Sequence, residues 1–149
     1  MAPVSIANNA AANNAAANNA AANHAAPHIP PTPIALGGTQ GALDCYNCDP
    51  LLLNDAATLT TLLQQAAQQA GLDPLQAIAH QFHPQGVTVL VLLSASHLAI
   101  HTWPEQGYAA IDVFTCGDRT HPDTTRQCLL AALQPEHHVW RVWSRPIRP

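Results

Sequence analysis

The sequence predicts an α+β two-layer sandwich, a mostly antiparallel sheet with two helices on one face. Three observations lead there. Apolar residues recur at helical spacing in two separate stretches, short runs with strand character lie around and between them, and most of those runs are joined by connections too short for a parallel crossover.

The elements follow in order. A short strand is expected near Ala42 to Tyr46. A helix follows that sets Leu59, Leu62, Leu63, Ala66, Ala67 and Ala70 on one face, and Gly71 closes it as a C-cap. Strands then read at Leu75 to Phe82, Val87 to Leu93, His97 to Trp103 and Tyr108 to Thr115. A second helix runs from Pro122 to Leu133, and a last strand, His138 to Trp143, precedes a proline-rich end. A tight turn at Pro104 to Gly107 pairs Trp103 with Tyr108, so that paired residue numbers sum to about 211. That register sets Cys116 opposite Ala95.

Residues 1–40 read differently. Ala7 to Ala26 repeats Ala-Asn-Asn-Ala-Ala, four prolines follow between Pro27 and Pro33, and the first charged side chain of the chain is Asp44. Asparagine is a poor interior residue for a helix and no large apolar residue recurs there, so the reading is a disordered low-complexity arm. The folded domain is then residues 41–149. Its roughly 110 residues suffice for one modest core, near the size at which a second copy often completes burial.

The net charge of −4, with nine carboxylates against five arginines, lacks the basic footprint that nucleic acid selects. No apolar run approaches a bilayer's thickness and the start has no cationic leader, so a cytoplasmic protein with reduced cysteines is expected. The chain has no lysine. An enzyme built from it cannot hold pyridoxal phosphate as the usual lysine Schiff base, so a carbonyl electron sink has to come from elsewhere.

Chemistry concentrates in Ser96-His97-Leu98-Ala99-Ile100-His101-Thr102-Trp103-Pro104-Glu105, where a hydroxyl, two imidazoles and a carboxylate share an apolar context. His97 and His101 imitate a metal pair, but no third ligand is apparent and no metal is expected. Cys45-Tyr46-Asn47-Cys48 imitates a redox or metal pair and, without a second such pair, reads as structural.

The run from Leu93 to Asp118, with His80, Phe82, Pro84 to Thr88, and Cys48-Asp49 with Leu52 to Asp55 upstream, closely resembles the short bacterial and archaeal S-adenosylmethionine decarboxylase proenzymes. The resemblance covers the chain from about residue 41 onward. It implies a self-cleaving enzyme of spermidine biosynthesis whose cofactor is a pyruvoyl group made from Ser96, with the cut between Ala95 and Ser96. The ketone so formed would make a Schiff base with the substrate amine. The resemblance further implies that His101 is the base in processing and that Cys116 protonates the product carbon. It places Phe82 against the adenine, Glu105 on the ribose hydroxyls, Leu98 beside the base, and Thr88 where the family usually has serine.

Ala95 departs from the family's usual glutamate. The acyl shift that starts cleavage uses the backbone carbonyl, so cutting should survive, while the pocket gains room for arginine or ornithine as alternative substrates. A non-catalytic homologue is the other rival reading, and retention of Ser96, His101 and Cys116 argues against it. Five residues of extended strand span about 16 Å, too far for His101 to touch the Ser96 of its own chain. A homodimer with two shared sites is the expected assembly.

Overall fold

The structure is a computed structural model that describes residues 37–116 and 122–147. Six strands form one antiparallel sheet: β1 (Gly37–Tyr46), β2 (Pro74–Gln81), β3 (Val87–Leu93), β4 (Ser96–Trp103), β5 (Tyr108–Cys116) and β6 (His137–Pro146), in the order β2-β3-β4-β5-β1-β6. The helices are α1 (Pro50–Leu53), α2 (Ala56–Gln69) and α3 (Pro122–Leu133). The α+β sandwich expected from the sequence is the observed architecture.

Alternation along the strands decides which face meets the helices. Val87, Val89, Val91 and Leu93 of β3, Leu98 and Ile100 of β4, and Ala109, Ile111 and Val113 of β5 are buried in one cluster with Leu59, Leu63, Ala66 and Ala67 of α2 and Leu129 and Leu133 of α3. Period two in a strand sends the intervening residues to the other face, which no helix among the described residues covers.

The helix ends obey their local chemistry. Asp55 caps α2 by accepting from the Ala57 and Thr58 amides, both at 3.0 Å, and from the Thr58 hydroxyl at 2.6 Å. Chiefly the Thr58 bonds hold its carboxyl below the usual carboxylate range. At the other end Gly71 lies at φ +74°, its amide bonding Gln68 O and that of Leu72 bonding Ala67 O, so the predicted cap is a Schellman motif. The short α1 was not foreseen; Asp49 nucleates it by accepting from the Leu51 amide at 2.8 Å, with Pro50 in its first turn.

One boundary needs adjustment. β1 begins at Gly37, so residues 37–40, read as the end of the arm, belong to the sheet. Close packing explains why glycine-rich sequence is strand here: Trp140 of β6 lies across Gly41, where a Cβ would come within 2.0 Å of its ring. The rest of the arm, residues 1–36, lies outside the described residues.

Candidate functional site

The β4–β5 register matches the expected sum, with Trp103 paired to Tyr108 and His97 to Phe114. Gly107 makes the turn at φ +57°, after a single turn of 3-10 helix over Pro104–Gln106. Its conformation is set by proximity as well as by φ, since a Cβ there would lie 3.2 Å from the carbonyl oxygen of Cys48. This turn presents Glu105.

A pocket of about 380 Å³ opens beside it, lined by Phe82, Gln85, Gly86, Thr88, His101 and Glu105 among others. Thr88 and His101 are direct cross-strand partners, and the Thr88 hydroxyl lies 2.8 Å from His101 Nδ1. Across the mouth, Gln85 Nε2 donates to Glu105 Oε2 at 2.9 Å. Phe82 follows β2 directly and is about half exposed (47%), its ring available to a ligand. Four residues from separate elements therefore converge on one cleft with a hydrophobic plate, a carboxylate, a hydroxyl and an imidazole.

A brace holds this cleft, and sequence reasoning missed it. The Thr102 hydroxyl accepts from the Val87 amide at 2.8 Å and donates to the Leu53 carbonyl at 2.7 Å. Next to it, Asn54 Oδ1 accepts from the Gly86 amide at 3.0 Å and from Gln81 Nε2 at 2.8 Å. The end of α1 is thus tied to the loop between Phe82 and Val87. The available signal was a buried threonine between apolar neighbours, which has to satisfy its hydroxyl somewhere.

Ser96 lies at the opposite end of β4. It pairs with Leu93 across a two-residue turn, Ser94-Ala95, so the Ala95–Ser96 bond sits in an exposed hairpin. The β4–β5 ladder closes at His97 and Phe114; continued by two residues it brings Cys116 opposite Ala95, on strands about 4.8 Å apart. Cys116 is itself paired with Gly38 of β1.

His101 is not brought to Ser96. The two are five residues apart on one strand, about 16 Å, and the odd spacing turns them to opposite faces. Leu98 is also not in the cleft. It is fully buried in the core beneath the sheet, with Val91 and Val113 as its cross-strand partners, so its side chain cannot meet a ligand on the open face. The placement beside the base is corrected to a packing role. His97 and His101 are separated by about 13 Å of extended chain, beyond the reach of one ion.

Other features frame the cleft. Tyr108 donates to Asp44 at 2.7 Å, and Arg141 donates to the same carboxylate at 2.9 Å. Burial, with Asp44 beside it, pushes the Tyr108 phenol up to about 12, so it stays a neutral donor. Cys45 and Cys48 are buried; the hydrogen bond with Cys48, then burial, push the Cys45 thiol up, while the same bond pulls Cys48 down.

A family model described as S-adenosylmethionine decarboxylase matches residues 39–146. The chain belongs to the S-adenosylmethionine decarboxylase family. Membership carries the enzyme class, a carboxy-lyase. The S-adenosylmethionine decarboxylase proenzyme of Parasynechococcus marenigrum is 49% identical over 108 residues, covering 72% of this chain and 84% of that protein. The proenzyme of Pelotomaculum thermopropionicum is 44% identical over 112 residues, covering 75% and 89%. The crystal structure of the adenosylmethionine decarboxylase from Aquifex aeolicus superposes with a TM-score of 0.71 at 33% identity, over 76% of this chain and 94% of that one. The family's shared core is thus the sheet and its helices. Among the described residues, no helix is long and apolar enough to cross a membrane.

Proposed function

We propose that this chain is a cytoplasmic proenzyme that cuts itself between Ala95 and Ser96 and then decarboxylates S-adenosylmethionine for polyamine synthesis. The observation that carries the reading is the convergence of Phe82, Thr88, His101 and Glu105 on one cleft. A nucleoside with a cationic sulfonium needs a plate for the base and an acceptor for ribose hydroxyls. Phe82 and Glu105 have those chemistries.

The residues at the other end of β4 fit the making of a pyruvoyl group. Ser96 Oγ attacks the Ala95 carbonyl carbon, the amide C–N bond breaks, and the chain is joined by an ester. Loss of the Ser96 α-proton with departure of the Ala95 carboxylate leaves dehydroalanine, which hydrolyses to pyruvoyl and ammonia. An exposed two-residue turn leaves that peptide room to react. Once present, the pyruvoyl ketone supplies the electron sink for loss of carbon dioxide. Cys116 is the acid that returns a proton to the product carbon, and His101 is the base of processing. That role requires the tautomer in which Nδ1–H donates to the Thr88 hydroxyl, 2.8 Å away, and Nε2 is left to accept a proton.

Because Ser96 and His101 of one chain stand at opposite ends of β4, the working enzyme is a homodimer in which each supplies the other's site. The open sheet face supports this assembly. Ile78, Leu90 and Leu92 lie there between 45% and 61% exposed, with Trp103 and Trp143 on the same face, an apolar surface suited to a second copy.

Purified protein should run as two fragments, the second blocked at its N-terminus, and Ser96→Ala should remain one inactive chain. Carbon dioxide release with S-adenosylmethionine, arginine and ornithine at equal concentration settles the substrate. A preference for either amino acid would place Ala95, not Phe82 and Glu105, in control of specificity.

A further inference from the structure

We propose that His80 is a positioning residue for nucleoside recognition, one that fixes the ring plane of Phe82 without taking part in proton transfer. The inference rests on the reading of Phe82 as the plate for the base.

Phe82 is poorly held by its own position. It follows the last residue of an edge strand, half exposed, and its backbone is tied by a 2.8 Å bond from its amide to the Gly86 carbonyl. That bond fixes the main chain and leaves the ring free to turn. On the other side of the loop, the glycine at 86 has no side chain to pack against it, although a Cβ there would reach van der Waals contact with the Phe82 side chain at 4.0 Å. The Phe82 ring meets His80, two residues earlier near the end of β2, with ring centroids 4.6 Å apart and planes at 75°. An edge-to-face pair of this kind restricts ring rotation, and either way of making it leaves at least one face of Phe82 open. A base can then stack on that open face.

His80 also stands cross-strand from Thr88, whose hydroxyl meets His101. Along this row His101 and Glu105 line the cleft, and His80 stands beside it as the cross-strand partner of Thr88. A role in proton traffic would run through Thr88. A positioning role runs through Phe82, and the two leave different kinetic signatures.

The test uses His80→Ala, His80→Phe and His80→Gln in the full-length chain. Four quantities are measured: self-cleavage, kcat, KM for S-adenosylmethionine, and the Kd of 5′-deoxy-5′-methylthioadenosine. In His80→Ala, cleavage and kcat should stay near those of the parent, while KM and Kd rise roughly threefold to tenfold, the scale of one aromatic pair. His80→Phe, which keeps a ring, should recover most of the loss. His80→Gln, which keeps polarity without a ring, should not. Slower cleavage or a lower kcat in His80→Ala at unchanged KM overturns the proposal and assigns the imidazole to proton transfer. Recovery by glutamine but not phenylalanine overturns it as well. Unchanged binding in all three variants overturns this proposal alone, whereas a parent that neither binds the nucleoside nor decarboxylates S-adenosylmethionine removes the reading of the cleft with it.

Discussion

The two ends of β4 are built on opposite plans. At the Trp103 end the structure is over-determined: Thr88 bonds His101, Gln85 bonds Glu105, and Thr102 and Asn54 tie β4, the start of β3 and the end of β2 to α1. At the Ser96 end a two-residue turn stands in solvent, with Cys116 on the neighbouring strand, and the turn is tied outside its hairpin by the Ser94 amide, which donates to the Asp73 carbonyl at 3.0 Å. Recognition calls for preformed geometry, because each group left to order itself costs affinity. A bond that must be cut calls for room to deform. On the proposed function, the difference means that one strand carries two half-sites, which its length keeps apart within a single chain.

The sharpest way to break this comparison is to separate the halves genetically. Ser96→Ala and His101→Ala should each be inactive alone. In mixed dimers isolated by two tags, one site carries both lesions and the other is intact, so cleavage should return on the His101→Ala chain only. Failure of cleavage in those dimers would mean that His101 serves its own chain, and the distance along β4 would be the step to abandon.

Thr88→Val tests the braced end at its chemistry. It removes the hydroxyl that orients His101 while keeping the shape, and processing should slow roughly tenfold, the scale of one hydrogen bond to a group that becomes charged. Binding of substrate to already processed protein should change less. Equal damage to cleavage and binding would show the hydroxyl to be a ligand group first.

Thr102→Val probes the brace away from the chemistry. The Val87 amide and the Leu53 carbonyl lose their partner in a buried setting, which should cost about 1–3 kcal/mol in denaturant unfolding. Cleavage at the opposite end should proceed normally in the folded fraction. A slowed cut would show that the two ends are mechanically coupled.

The smallest effect is expected from the N-terminus. Removing residues 1–36 deletes sequence with no charge and no periodic apolar face, and processing and activity should stay near those of the full chain. Extending the deletion through residue 40 strips the part of β1 that pairs with Phe114, Thr115 and Cys116, and protonation of product should suffer. Equal activity in both truncations would remove β1 from the support of Cys116.

Much of this was legible in the chain. The boundaries of β3 and α3 fall where patterning put them, because strand alternation and helical spacing are local consequences of burial on one face. The β4–β5 register followed from the turn, since a short connection leaves little freedom in pairing. The burial of Leu98 was also written there, in the alternation of Leu98, Ile100 and Thr102 against His97 and His101; that period overrides a placement by resemblance.

What the sequence could not decide is non-local. Nothing in β1 says that it lies between β5 and β6, because the bonds that hold it there come from residues 64 to 109 positions away. The brace through Thr102 and Asn54 joins three segments whose meeting depends on how α1 settles against the sheet. The sequence by itself determined the longer elements and the core face, since each follows from local pattern, and its resemblance to a family named the candidate reactive residues. Only tertiary structure decided which of those residues share a cleft, because convergence is a property of packed strands and no single segment contains it.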